Sequence, residues 1–296
     1  TFLRDPQFAE AQRPQWLLRF GAFPVTRTLQ NWLAAATNAQ HIVVAPDSRW
    51  PDPLHAVSTL LQSDPDSACR ALLDCAPRPA DAGWRATFVE AESAVERAAA
   101  GWLSRENFEG ALIAALIERL PANHRLFCGN SMAIRDLDAF SGSGAKPLML
   151  FGNRGASGID GNVSTAAGIA CSGPTVALIG DLACAHDIGG LACARGLDLV
   201  LVVINNGGGG IFEYLPQAAL PEFERAWLTP AAIDFAHAAQ AFGMPHRRVD
   251  TLAGFSATLD AALAQTASGP RCIEVIIDRV QSVAQHRAYW ASVGAK

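Results

Sequence analysis

No block of lysine and arginine, no membrane-length apolar run and no C-x-x-C pair occurs in this 296-residue chain. Each absence excludes something. With a net charge of −5 and only 17% charged residues, the chain carries no basic footprint for a nucleic-acid backbone. Its longest aliphatic stretch, Leu199-Val200-Leu201-Val202-Val203-Ile204, is strand length. It falls far short of the ~20 residues that span a bilayer, so no integral membrane segment is expected. The opening residues show no basic n-region leading into an apolar h-region, so no secretory signal is expected. Seven cysteines, odd in number and set mostly in apolar or Ala-rich surroundings, argue against a zinc site or disulfide framework. The expectation is reduced, buried thiols in a cytoplasmic protein. The patterns G-x-x-x-x-G-K-[ST] and G-x-S-x-G are also missing, which removes two common families of catalytic loop.

What is present is a chain half hydrophobic (50%) and long enough for about two domains. Residues 1–100 read as a small α/β unit. It holds a strand at His41-Ile42-Val43-Val44-Ala45, a Pro/Asp-rich stretch from Asp47 to Pro53, partial helix between Leu54 and Leu73, and a Pro/Ala loop over 75–80. Residues 101–296 alternate more regularly. Ser104-Arg105-Glu106-Asn107 caps an expected helix whose apolar positions Phe108, Leu112, Ala115, Leu116 and Leu120 recur at helical spacing, with Pro121 as the stop. Strands are expected at Leu126–Cys128, Leu148–Phe151, Val176–Ile179, Leu199–Ile204 and Cys272–Ile277, with helices over Thr165–Ala170 and Ala231–Phe242. Continuous apolar strands alternating with helices predict a doubly wound α/β fold, a parallel sheet covered on both faces.

In such sheets ligands bind beyond the carboxyl ends of the strands. Three strand ends here carry unusual residues: Gly180-Asp181, Asn205-Asn206-Gly207-Gly208-Gly209-Gly210, and the loop Gly152-Asn153-Arg154-Gly155-Ala156-Ser157-Gly158-Ile159-Asp160-Gly161. A carboxylate and an amide at neighbouring strand ends suit Mg²⁺, a hard cation that takes oxygen ligands and shares them with phosphates. Asp181 would supply charge, the Asn206 side-chain oxygen a neutral ligand, and a main-chain carbonyl near Gly208 a third. Glycines let the chain approach a diphosphate closely, and the helix after Asp181 would offer it backbone amides. Taken singly, Gly-Asp and Asn-Asn-Gly are also ordinary turn sequences.

Taken together, with 22 residues between Leu182 and Asn205, they resemble the Gly-Asp-X…Asn-Asn motif of thiamine-diphosphate enzymes. Leu182 stands where a third glycine is common, and the spacing is slightly short. More specific are Gly129-Asn130-Ser131-Met132-Ala133-Ile134-Arg135-Asp136, Asn153 to Gly161, Ser164-Thr165-Ala166-Ala167-Gly168 and Gly209-Gly210-Ile211-Phe212. These segments, strongest across residues 129–212, resemble the 2-succinyl-5-enolpyruvyl-6-hydroxy-3-cyclohexene-1-carboxylate synthase (MenD) family of menaquinone biosynthesis. Phe20-Gly21 through Pro24-Val25-Thr26-Arg27 is similar to that family's middle-domain substrate loop.

The resemblance implies a transferase in which 2-oxoglutarate is decarboxylated on the thiazolium of thiamine diphosphate and the product carbanion adds to isochorismate. It implies that Asp181, Asn206 and Gly208 hold Mg²⁺, that Gly180, Leu182 and Ile159 complete the cofactor bed, and that Ile159 enforces its bent shape. Arg154, Arg135 and Arg27 would neutralise substrate carboxylates, Ser131 would donate a hydrogen bond, and Ile211, Phe212 and Leu215 would form an apolar wall. Arg27 stands where the family often has Lys, with Thr28 after it. Other readings also exist for these side chains: Phe212 and Leu215 as core, Arg135 paired with Asp136 or Asp138 on the surface, and His186 as a capping or packing residue. Residues 1–100 resemble the middle domain and 101–296 the diphosphate-binding domain. The family's catalytic glutamate lies in a pyrimidine-binding domain that precedes these, and Glu90, Glu106 and Glu213 match no such position. The resemblance is therefore to the carboxy-terminal half of a homo-oligomeric enzyme. Two alternatives stay open: another thiamine-diphosphate-dependent 2-oxo-acid decarboxylase or carboligase, and a non-catalytic cofactor-binding module or split-enzyme subunit.

Overall fold

The structure, a computed structural model, describes residues 2–293 except 77, 80, 143, 145 and 266–268. It divides into two compact units, Thr1–Ala98 with Trp290–Lys296, and Ala99–Tyr289.

The first unit is built on three parallel strands in the order β1-β2-β3: Trp16–Phe20, Gln40–Ala45 and Thr59–Gln62. Central β2 is the expected strand, and its Val43 and Val44 are fully buried. Helices α1 (Pro6–Ala11), α2 (Arg27–Ala35), α3 (Pro65–Asp74) and α4 (Ala82–Ala100) accompany it. Asp5 and Asp64 cap α1 and α3 with their side chains, each followed by a proline whose fixed φ suits a first turn. The helix expected in 54–73 thus begins only at Pro65, and the residues before it pair as β3 instead. The Pro/Ala loop falls partly outside the described residues.

The second unit carries six parallel strands in the order β5-β4-β6-β7-β9-β8. They are β4 (Arg125–Cys128), β5 (Met149–Phe151), β6 (Thr175–Gly180), β7 (Leu199–Asn205), β8 (His246–Val249) and β9 (Arg271–Ile276). Successive side chains of a strand point to opposite faces. Phe127, Ala177, Ile179, Leu199, Leu201 and Val203 share one core cluster with α7 (Asn162–Ala170) and α9 (Phe235–Ala241). The alternate residues Leu126, Val176, Leu178, Val200 and Val202 are just as buried, so both faces are covered. The other α-helices among the described residues are α5 (Glu109–Arg119), α6 (Met132–Phe140), α8 (Asp181–His186), α10 (Leu252–Ala264) and α11 (Arg279–Val293). This is the doubly wound arrangement.

Three expectations are corrected here. The cap of α5 is Phe108 with no side-chain bond, because Asn107 sits at φ +52 and its amide oxygen accepts from Asp278 N at 3.0 Å instead. The helix expected from Ala231 starts at Phe235, where Asp234 accepts from the His237 amide. Of the cysteines, all free, only Cys128, Cys184 and Cys272 are buried; Cys69, Cys75, Cys171 and Cys193 are exposed.

Candidate cofactor site

Order β5-β4-β6 means that the chain leaves β4 to one side for β5 and returns to its other side for β6. Adjacent strands whose connections run in opposite directions open a crevice at their carboxyl ends. A cavity of about 150 Å³ lies there. Ser131, Ile159, Gly180, Asp181, Leu182, Asn206, Gly208, Ile211 and Phe212 all line it. Nine of the positions singled out from the sequence, spread over eighty residues, thus meet in one cavity.

Asp181 follows β6 as the first residue of α8 and is buried at 7% exposure. Its Oδ1 accepts from Leu182 N at 2.7 Å, and its Oδ2 accepts from Gly208 N at 2.9 Å, joining the ends of β6 and β7. Burial raises this carboxyl above its ordinary value of 3.8, while the amides of Leu182, Gly208 and Gly207 hold it down. Among the described residues no salt bridge supplies Asp181 with a cation.

The two asparagines after β7 divide the work. Asn205 ties the loop down, donating from Nδ2 to Glu274 Oε1 at 2.7 Å and accepting from Gly207 N at 3.2 Å. Asn206 Oδ1 is buried with no hydrogen-bond partner, a costly state for an amide oxygen unless something enters the cavity. Gly208 sits at φ +143, and a Cβ there would lie 2.6 Å from the Leu228 carbonyl oxygen, so only glycine fits. One buried carboxylate, one orphaned amide oxygen and the Gly208 carbonyl fit a hard cation that completes its shell with phosphate oxygens. The expected supply of amides from the following helix is reduced. Helix α8 has only six residues, and its Leu182 amide is already bonded to Asp181.

On the β4 side, Gly129 packs close enough that a Cβ would lie 2.9 Å from Ile179 Cγ2. Ser131 then turns the chain into α6 at φ +66, a sparsely populated conformation for serine, and makes no side-chain cap bond. Arg135 donates to the Ser131 carbonyl at 2.6 Å, and Arg154 donates to Asn130 Oδ1 at 2.7 Å. Burial lowers the Arg135 pKa, and the positive charge of Arg154 lowers it further. Two guanidinium groups thus repel across the strand ends, which favours an anion between or beside them. Neither arginine lines the cavity itself, nor does Leu215, which is 42% exposed after the turn of residues 210–214. Arg27 opens α2 in the first unit. His186 ends α8 on the surface.

Residues 142–275 match the family described as thiamine pyrophosphate enzyme, C-terminal TPP binding domain. Over 264 residues, 89% of this chain, the sequence is 47% identical to the 2-succinyl-5-enolpyruvyl-6-hydroxy-3-cyclohexene-1-carboxylate synthase of Dechloromonas aromatica. The synthases of Geobacillus kaustophilus and Chloroflexus aurantiacus are each 39% identical over 99% of the chain. Along 89% to 99% of its length the chain is therefore similar to these synthases. It spans about half the length of the curated relatives it matches, 47% to 51% of them. A solved structure of a thiamin diphosphate-dependent enzyme from Mycobacterium smegmatis matches with a TM-score of 0.61 over 89% of this chain and 48% of that one. At 18% identity that likeness concerns the fold.

Two acidic residues lining the cavity had no role assigned from the sequence, Glu109 and Asp136, the latter closing the 129–136 segment. Both are buried, together with His286 and Ser282 of α11. Asp136 Oδ1 meets His286 Nε2 at 3.3 Å, Ser282 donates to Glu109, and His286 Nδ1 lies 2.9 Å from the Ser282 carbonyl. Asp136 therefore does not pair with Arg135 on the surface, as one sequence reading had it. Burial opposes the imidazolium, but the Asp136 hydrogen bond and the charges of Asp136 and Glu109 outweigh it and raise His286 to about 8. Two bare carboxylates side by side are disfavoured by the same burial, so the trio retains protons that the unfolded chain would release. His286 binds its proton more tightly folded than at its ordinary 6.5, so its contribution is complete below about 6.5 and disappears as pH rises through about 8. Urea unfolding should show about 2 kcal/mol lost over that window, and His286→Gln should flatten it. A flat profile in the wild-type chain would remove the imidazolium from this cluster.

Proposed function

We propose that this chain is the cofactor-anchoring part of a thiamine diphosphate- and Mg²⁺-dependent synthase that decarboxylates 2-oxoglutarate and joins the remaining four-carbon unit to isochorismate. The observation that carries this reading is the pairing of buried Asp181 with the Gly208 amide beside the orphaned Asn206 oxygen, inside the segment that matches the TPP binding domain. Thiamine diphosphate supplies an electron sink for the electrons released when carbon dioxide departs.

The chain's own residues do the rest. Asp181, Asn206 Oδ1 and the Gly208 carbonyl hold Mg²⁺ and through it the diphosphate, with Gly180 and Leu182 framing the bed. Ile159, which lines the same cavity, would form part of the cofactor's bed. Ile211 and Phe212 exclude water, which strengthens every charge interaction near the reacting carbon, and Leu215 extends that apolar edge. Ser131, freed from capping, offers its hydroxyl to a substrate oxygen. Arg135 and Arg154 bind carboxylates, a planar fork matching a planar anion. Arg27 of the first unit is assigned to a further substrate carboxylate. Residues 1–100 act as the middle domain and 101–296 as the diphosphate domain of a longer, homo-oligomeric enzyme, in which a pyrimidine-binding domain brings in the catalytic glutamate.

Binding tests this reading directly. Thiamine diphosphate titrated into the chain should bind with Mg²⁺ present and not with EDTA. Arg135→Ala and Arg154→Ala should each weaken 2-oxoglutarate binding to the loaded chain by about tenfold or more, the scale of one charge-assisted pair. Metal-independent affinity, or arginine variants that bind like wild type, would contradict the assignment.

A further inference from the structure

Asn130 has the most unusual position of any polar residue around the cavity. It follows β4, is 3% exposed, and all its hydrogen-bonding capacity is directed into one loop. Its Oδ1 accepts from Arg154 Nη1 at 2.7 Å, and its Nδ2 donates to the carbonyls of Gly158 at 2.7 Å and Asn153 at 3.3 Å. One buried amide therefore grips both limbs of the loop that carries Arg154 and Ile159.

Elsewhere the loop is fastened by Asn153 Nδ2, which donates to Thr165 Oγ1 at 3.1 Å, and by Asn162 Nδ2, which donates to the Ile159 carbonyl at 2.7 Å, but neither bond reaches the Arg154 side chain. Glycines flank it at 152 and 155, residues 154–158 are exposed, and among the described residues no salt bridge engages the guanidinium. A flexible arginine on such a loop would lose its rotamer freedom only when a ligand arrives, and affinity would suffer. A carboxylate partner would fix the side chain but would also neutralise it. A buried amide does neither harm: it orients the planar group through one N–H and leaves its charge and remaining donors to an anion.

We propose that Asn130 is a positioning residue that presents Arg154, fully charged, to a carboxylate-bearing ligand, and that it does so by clamping the loop of residues 153–158. The inference rests on the anion-binding role given above to Arg154. It predicts losses of different size and cause for two substitutions. Asn130→Ala should loosen the loop, lowering backbone ¹⁵N order parameters across 153–158 while those of β6 and β7 stay unchanged. It should weaken 2-oxoglutarate binding by about three- to tenfold, the scale of ordering one long side chain. Asn130→Asp should instead pair with the guanidinium and cancel its charge, so that 2-oxoglutarate binding falls as far as in Arg154→Ala.

The experiment is titration of 2-oxoglutarate into wild-type, Asn130→Ala, Asn130→Asp and Arg154→Ala chains loaded with Mg²⁺ and thiamine diphosphate, alongside ¹⁵N relaxation measurements on the ligand-free proteins. If Arg154→Ala weakens binding but Asn130→Asp does not, the positioning role fails and the anion role of Arg154 stands. Unchanged order parameters at 153–158 in Asn130→Ala overturn the clamp. Wild-type affinity in Arg154→Ala, or no binding by the wild-type chain, overturns both.

Discussion

Replacing Asp181 by alanine should abolish Mg²⁺-dependent binding of thiamine diphosphate. The side chain has two tasks at one point: it would give the metal a carboxylate, and it accepts the Gly208 amide at 2.9 Å. Alanine removes the charge and leaves the Gly208 N–H without its acceptor. Breaking a buried charge pair on one side costs about 3–5 kcal/mol, so calorimetry should show affinity lowered at least ~100-fold. Asp181→Asn separates the two tasks. Its amide oxygen can keep one backbone bond, and burial already disfavours the native carboxylate, so the ligand-free fold should stay within about 1 kcal/mol of wild type. Metal-dependent affinity should still be lost. An asparagine variant that binds the cofactor normally would mean that the cation is held elsewhere.

Gly208→Val should be nearly as damaging, for a different reason. At φ +143 an L side chain is strained, and its Cβ would press to 2.6 Å from the Leu228 carbonyl, which is main chain and cannot swing aside. The loop must then shift, parting the Gly208 amide from Asp181 and moving the Gly208 carbonyl. The expected cost is about 2–4 kcal/mol in unfolding free energy together with loss of cofactor binding. Gly189→Ala is the control: a Cβ there meets nothing within 4 Å, and its effect on both measurements should be small. Equal behaviour of the two variants would show that the loop tolerates displacement and is not the metal's scaffold.

The parts of this molecule that were legible in the sequence share a physical cause. Strands buried on both faces, such as β7, read as continuous aliphatic runs, and a carboxyl end followed by Gly, Asp or Asn announces itself against that background. The cavity lining from Ser131 to Phe212 came from such strand ends. Strand β1 escaped because it is an edge strand of alternating burial with Trp16, Leu18 and Phe20 exposed, and β8 because its HRRV sequence is only half-buried at the opposite sheet's edge. The division of labour between Asn205 and Asn206 could not be read from two identical letters. It depends on Glu274, which β9 brings alongside β7. The cluster of Glu109, Asp136 and His286 was equally invisible: Asp136 stood in a quoted segment but read as a surface partner of Arg135, and the meeting of the three requires α11 to return beside α5 and α6.

The central claim is that the ends of β6 and β7 hold a divalent cation and, through it, a diphosphate. A crystal of this chain grown with thiamine diphosphate and Mn²⁺ in place of Mg²⁺ tests it most directly, because the metal can be located by its anomalous scattering. The account predicts one peak at about 2.0–2.3 Å from the oxygens of Asp181, Asn206 and the Gly208 carbonyl, with diphosphate oxygens completing an octahedron. A peak away from those three oxygens, or ordered cofactor with no metal among them, would contradict it.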